Sequence, residues 1–209
     1  MRLVFWIISF FVAFLFVTKP VYTQKFHGGI TAGIVCSQVA GDTYSGFHKG
    51  GIFGGGYVNL DVSERSAFQL ELTYFQKGSR KNPDPENNIY DNYLFRVNYI
   101  EMPVLYLFKI DRFILEAGPS MGILVGYYET DRDGYEISNQ QGYNKPIRVT
   151  FQINFGLRFF VTDRLGVDFR TNNSLLNIRT NNVTGDVWRF WGYGQFNDAL
   201  VLSVFYQFK

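Results

Sequence analysis

The segment "IRVTFQINFGLRFFVTDRLGVDFR", Ile147 to Arg170, decides how the rest of the chain is read. From Val149 onward every second residue is large and apolar: Val149, Phe151, Ile153, Phe155, Leu157, Phe159 and Val161. Between them stand Arg148, Thr150, Gln152, Asn154, Gly156 and Arg158. Past "TDR" the alternation resumes, with Leu165, Val167 and Phe169 set against Asp168 and Arg170. Successive side chains of a strand point to opposite faces, so this is a hairpin with one apolar face and one polar, charged face. The remaining question is which solvent each face meets.

The same alternation recurs along the chain. Strands are predicted at about residues 29–37, 50–62, 67–77, 94–108 and 113–128, then the two of the opening segment, then 199–208. Ile30, Ala32 and Ile34 mark the first; Phe68, Leu70 and Leu72 oppose Gln69, Glu71, Thr73 and Lys77 in the third. Pro103 sits inside the fourth, where a missing ladder donor predicts a bulge. Aromatic residues at 19% and 21 glycines fit an all-β chain.

The connections alternate in length. Short ones fall near 63–66, 109–112 and 162–164; long ones fall near 38–49, 79–93, 129–146 and 177–198. Short turns at one end and long loops at the other are the mark of an outer-membrane barrel. The expected fold is therefore an all-β, eight-stranded, antiparallel up-and-down transmembrane β-barrel, of the small OmpA/OmpX type. Apolar faces then meet lipid and polar faces meet one another inside, because an open sheet edge in hydrocarbon leaves backbone groups unpaired. The soluble competitor is a lipocalin-like barrel with its apolar residues inward. Glu71, Glu116, Arg148, Arg158, Asp168 and Arg170 share their faces with Gly, Ser, Thr and Asn, which suits a tight polar interior and not an apolar cup.

The start, "MRLVFWIISFFVAFLFVTKPVYTQ", has a short basic stretch, an apolar run and a polar tail. It reads as a secretory signal peptide over residues 1–23, with the cut after Thr23 or Gln24 and a barrel domain over 24–209. Losing Arg2 and Lys19 leaves a nearly neutral chain, so no nucleic-acid partner is expected. Cys36 is the single cysteine, which excludes an internal disulfide framework.

Three stretches carry a family resemblance: "FQLELTYFQKG" with Glu71, Tyr74, Lys77 and Gly78, "NYIEMPVLYLF" with Ile100, Glu101 and Pro103, and "FILEAGPSMGILVGYY" with Ala117, Gly118 and Pro119. In these the chain resembles the PorT-like outer-membrane β-barrel family of Bacteroidetes-type bacteria. The resemblance implies a small barrel in the bacterial outer membrane. It also carries, as an alternative role, an accessory part in a type IX-like secretion or a transport assembly. The end "VFYQFK" departs from the usual terminal aromatic, since Lys209 follows Phe208.

Two sets of residues are candidates for function. Glu71, Lys77, Glu101, Glu116, Arg148, Arg158, Asp168 and Arg170 are expected to form a charge network inside the barrel. It reads either as an ion-pair lattice that fills the lumen or as a path for ions or protons. Trp188, Phe190, Trp191, Tyr193 and Phe196 lie in the last long loop, as a membrane-interface belt or as a partner-binding surface. No catalytic, cofactor or metal site is expected. Asp84, Glu86 and Asp91 lack the spacing of a calcium loop, and no Cys–His cluster suggests zinc. Only His48 with Ser45 and Asp42 supplies the residue types of a membrane hydrolase. The expectation is a monomeric, non-enzymatic barrel, structural or adhesive, with lipid around it and a protein partner at its extracellular loops or periplasmic turns.

Overall fold

A computed structural model describes residues 26–44, 46–179, 187–190 and 192–208. The expected signal peptide, Ser45, Trp191 and Lys209 lie outside the described residues. Seven strands, β1 (Phe26–Ala40), β2 (Lys49–Asp61), β3 (Ser66–Arg80), β4 (Leu94–Ile110), β5 (Phe113–Glu129), β6 (Val149–Phe160) and β7 (Leu165–Ser174), follow in chain order. A short hairpin, β8 (Val187–Arg189) and β9 (Gly192–Gly194), precedes the last strand, β10 (Phe196–Gln207). Strands β1–β7 and β10 close into an antiparallel barrel in the order β1-β10-β7-β6-β5-β4-β3-β2. The first and last strands pair over twelve positions, from Gly29 with Gln207 to Ala40 with Phe196.

The short turns lie together at one end. Between β4 and β5 only Asp111 and Arg112 remain, and Asp111 takes φ +51°, a left-handed conformation that Asp tolerates better than most residues. The long connections lie at the other end; the second holds one 3-10 turn, Pro85–Asn87.

The faces sort as the alternation requires. Ile34, Leu72, Val104, Phe155, Phe169 and Leu202 are all exposed, and together with their neighbours they ring the barrel. An apolar surface on every side is foreign to a water-soluble monomer and suited to hydrocarbon. The barrel strands, of 10–17 residues, reach or exceed the roughly 9–11 needed for a tilted crossing, so the longer ones extend beyond the hydrocarbon.

Two expectations need correction. The bulge lies not at Pro103 but between Asn98 and Tyr99, opposite the unpaired Val125 of β5. Pro103 stays in register with Ser120 of β5, and the β3–β4 ladder skips Met102 and Pro103 and resumes unshifted at Glu101. The extra residue on β5 restores the inward setting of Tyr127 and buries Glu129. Nor is the interior wholly polar. Ala67, Leu105, Leu107 and Ile114 pack at the turn end, and Val39, Phe95, Val97, Tyr99 and Ile178 at the loop end. A third group, Val35, Phe53, Phe75, Ala199 and Val201, lies between. An eight-stranded interior is just wide enough for side chains to fill, so these apolar groups occupy the length that ion pairs do not.

The face assignment has a direct test. Phe155→Arg should weaken folding into vesicles by roughly 2–4 kcal/mol if the site is near mid-membrane, whereas Phe155→Leu should leave it almost unchanged. Equal behaviour of the two variants in urea titrations of the vesicle-folded barrel would reverse the assignment.

Candidate functional site

The polar interior is built by alternation on β3, β5, β6 and β7. Reading inward positions along β3 gives Ala67, Gln69, Glu71, Thr73, Phe75, Lys77 and Ser79, all buried. Glu116 on β5, Arg158 on β6, and Asp168 and Arg170 on β7 face the same space.

Arg170 is the centre of the arrangement. Its Nε lies 2.5 Å from Glu116 Oε1, its Nη1 2.7 Å from Glu71 Oε2, and its Nη2 3.1 Å from Asp168 Oδ2. Arg158 joins the same carboxylates, with Nε 2.6 Å from Glu116 Oε2 and Nη2 3.0 Å from Glu71 Oε1. Strands β3 and β7 stand four places apart in either direction around the closed sheet, so the Glu71–Arg170 bridge spans the full width of the lumen. Gly156 makes the meeting possible. It pairs with Glu116 on one side and Arg170 on the other, and a Cβ there would stand 2.5 Å from Glu116 Oε1.

A second bridge crosses the lumen one layer higher. Lys77 Nζ lies 2.5 Å from Glu101 Oε1 and also donates to Asn172 Oδ1 on β7. Asn172 donates to Glu101 Oε2 at 3.0 Å and to Asn154 Oδ1 at 2.8 Å, and Asn154 donates to Ser120 Oγ at 3.0 Å. The ammonium also sits 4.1 Å from the centre of the Phe75 ring. Every charge in the two bridges has a counter-charge, the condition under which ions are tolerated away from water, while Asp168 Oδ1 is buried without a hydrogen-bond partner.

The loop end is closed by a third group, which sequence reading does not reach. Glu129 accepts from Tyr93 Oη at 2.6 Å, from Tyr143 Oη at 2.5 Å, and from Arg179. Burial, followed by the charge of Glu129, pushes the Tyr93 phenol up. Burial and the hydrogen bond to Glu129 raise Tyr143 likewise, so both stay protonated donors at neutral pH. The Arg179 guanidinium lies 4.4 Å from the Phe95 ring centre.

Seven of the eight expected interior charges therefore come together in two clusters, and the eighth does not. Arg148 is exposed and precedes β6, which begins at Val149. Its alternation is correct and its carbonyl still accepts from the Leu124 N–H of β5 at 2.8 Å, but the neighbouring Ile147 N–H turns away to bond Ile178 O in the last loop, and the side chain is left outside the lumen clusters. Gln69, Asn154 and Asn172 were missed as partners, although each shares the parity of a charged neighbour.

The loop aromatics divide. Trp188, Phe190 and Tyr193 are exposed on the β8–β9 hairpin. Phe196 is not a loop residue: β10 starts there, pairs it with Ala40, and buries it to 2% exposure. The hairpin is fastened to the barrel by Arg189, whose Nη1 and Nη2 lie 2.8 and 2.7 Å from the two oxygens of Asp198. Of the residues considered for hydrolysis, Asp42 accepts from the Tyr44 N–H at 2.9 Å, while His48 lines a separate cationic pocket.

Residues 20–179 match the family model described as outer membrane protein beta-barrel domain. Comparison with curated proteins gave no match. Among solved structures the chain is similar to Ail, the attachment invasion locus protein of Yersinia pestis. Identity is 13% and the TM-score 0.50, over 88% of this chain and 99% of that one. It is also similar to Neisserial surface protein A, at 10% identity and TM-score 0.49, over 90% of this chain and 100% of that one. Identities this low speak for the barrel fold alone.

The cluster predicts an asymmetric response to mutation. Arg170→Met strands carboxylates away from water and should cost about 3–5 kcal/mol of unfolding free energy. Adding Glu116→Leu removes one of those carboxylates and should restore part of the loss. Urea unfolding of both variants in the same vesicles checks this; a double variant weaker than the single one would contradict it.

Proposed function

This chain belongs to the outer membrane protein beta-barrel domain family, and on that premise we propose that it is a non-enzymatic, non-conducting barrel of the bacterial outer membrane that binds a partner at the cell surface. The observation that carries the reading is the β8–β9 hairpin. Three aromatic side chains, Trp188, Phe190 and Tyr193, are exposed on a short element clamped to the barrel by the two-pronged Arg189–Asp198 pair. Arg189 also donates to Ser174 O, the last residue of β7, so the hairpin is held at the level where the strands leave the lipid belt. Rigid aromatic groups presented on an ordered loop lose little freedom on binding and contribute most of the energy of a contact surface.

The bridged lumen supports the non-conducting part, since side chains from opposite walls meet across it. The narrower PorT-like resemblance, and with it an accessory role in secretion, belongs to the same proposal as a choice of partner: a secretion subunit would dock at the turn end, in contrast to a surface ligand at the hairpin.

The hairpin variant Trp188→Ser/Phe190→Ser/Tyr193→Ser separates these readings. It should keep the heat-dependent gel mobility of a folded barrel while losing at least tenfold in binding to whole-cell or matrix targets. Unchanged binding would return these residues to the role of a membrane-interface belt.

A further inference from the structure

Five cationic side chains among the described residues are buried: Lys49, Lys77, Arg158, Arg170 and Arg179. Four of them lie within ion-pair distance of a carboxylate. Lys49 does not. It is 4% exposed, and its ammonium donates to Gly50 O at 2.6 Å and to Gln76 Oε1 at 3.5 Å, both uncharged. The charges that act on it, Arg96 and Arg80, have its own sign.

These three cations open on one pocket of about 430 Å3, together with His48, Gln76 and Asn82. Among the described residues its lining contains no carboxylate, and Asp84, Glu86 and Asp91 of the adjoining loop are not part of it. Arg80 Nε is held by Asn82 Oδ1 at 2.5 Å, and the Arg96 guanidinium lies 5.3 Å from the Tyr128 ring centre, so both side chains are positioned by uncharged groups. A buried ammonium with two guanidinium neighbours and no counter-charge among the described residues is costly, and an anion held between the three would offset that cost.

The position of the pocket narrows the anion. The outward side of β3 is apolar at Phe68, Leu70 and Leu72 and reaches Gln76 at the pocket; that of β4 runs from Val104 and Met102 to Arg96. The pocket thus sits where the lipid-facing belt ends on the loop side, at headgroup depth. Two guanidinium forks and an ammonium suit a tetrahedral, doubly charged group better than a single carboxylate. The volume leaves room for the group that carries it.

We propose that Lys49, Arg80 and Arg96 form a binding site for a phosphate ester, presented by an outer-leaflet lipid headgroup. The proposal does not depend on the hairpin reading above. The test uses the whole barrel folded into phosphatidylcholine vesicles, and it reads the urea midpoint of unfolding by gel mobility. The probes are a diphosphorylated glycolipid, the same glycolipid without its phosphates, and inorganic phosphate.

The diphosphorylated lipid should raise the midpoint by mass action, and the dephosphorylated one should not. Arg80→Gln/Arg96→Gln should weaken the response at least tenfold in lipid concentration, while Arg148→Gln, an exposed arginine outside the pocket, should retain it. Lys49→Met should stabilise the barrel without phosphate lipid and abolish the response, a pair of effects that a purely structural lysine would not give. Protection by the lipid alone assigns the source to the headgroup. Equal protection by inorganic phosphate supports the phosphate chemistry and moves its source to solution. Protection by the dephosphorylated lipid, or an undiminished response in the double variant, overturns the site.

Discussion

The contact on which this structure depends is the bridge from Arg170 on β7 to Glu71 on β3, 2.7 Å long and spanning the lumen. Its necessity follows from the solvent. In hydrocarbon every backbone donor and acceptor must be paired within the protein, so the sheet closes on itself. Closing eight strands leaves an interior about one layer of side chains deep from each wall. The outward alternation is committed to lipid, which gives the polar residues to that interior. Polar and charged groups confined there must meet one another, and they do so in pairs and forks among Glu71, Glu116, Arg158, Asp168 and Arg170.

Much of this was legible in the sequence because a strand has a period of two and a membrane barrel applies it on every strand. The inward set at Glu71, Glu116, Arg158, Asp168 and Arg170 follows from parity alone. Three of the residues that carry the family resemblance, Glu71, Lys77 and Glu101, are lumen partners, and Glu116 stands immediately before the Ala117-Gly118-Pro119 stretch. Parity says nothing about where a strand stops. Arg148 has the right phase but lies one residue outside β6, and Phe196 looks like loop until its pairing with Ala40 is seen. The bulge at Val125 was illegible for a similar reason: proline announces a lost donor, whereas an inserted residue leaves no composition signal.

The loop end was the least legible. Glu129, at the end of β5, gathers Tyr93, Tyr143 and Arg179 from three separate connections, and Arg189 finds Asp198 across a chain reversal. None of these pairs has a fixed spacing. Lys49 is the opposite case, a cation whose importance lies in the absence of a carboxylate near it among the described residues, and only packing reveals that. The result is a closed barrel whose middle holds charge pairs and apolar groups, with aromatics on a clamped hairpin and cations around a pocket at its loop end.

Single-channel recording of the purified barrel in planar bilayers tests the bridged lumen most directly. A lumen bridged in this way should show no steady conductance in the wild type under salt and voltage conditions that open general porins. A stable, ohmic current of porin size would contradict it, because ions would then be passing through the space that Arg170 and its carboxylates are said to fill.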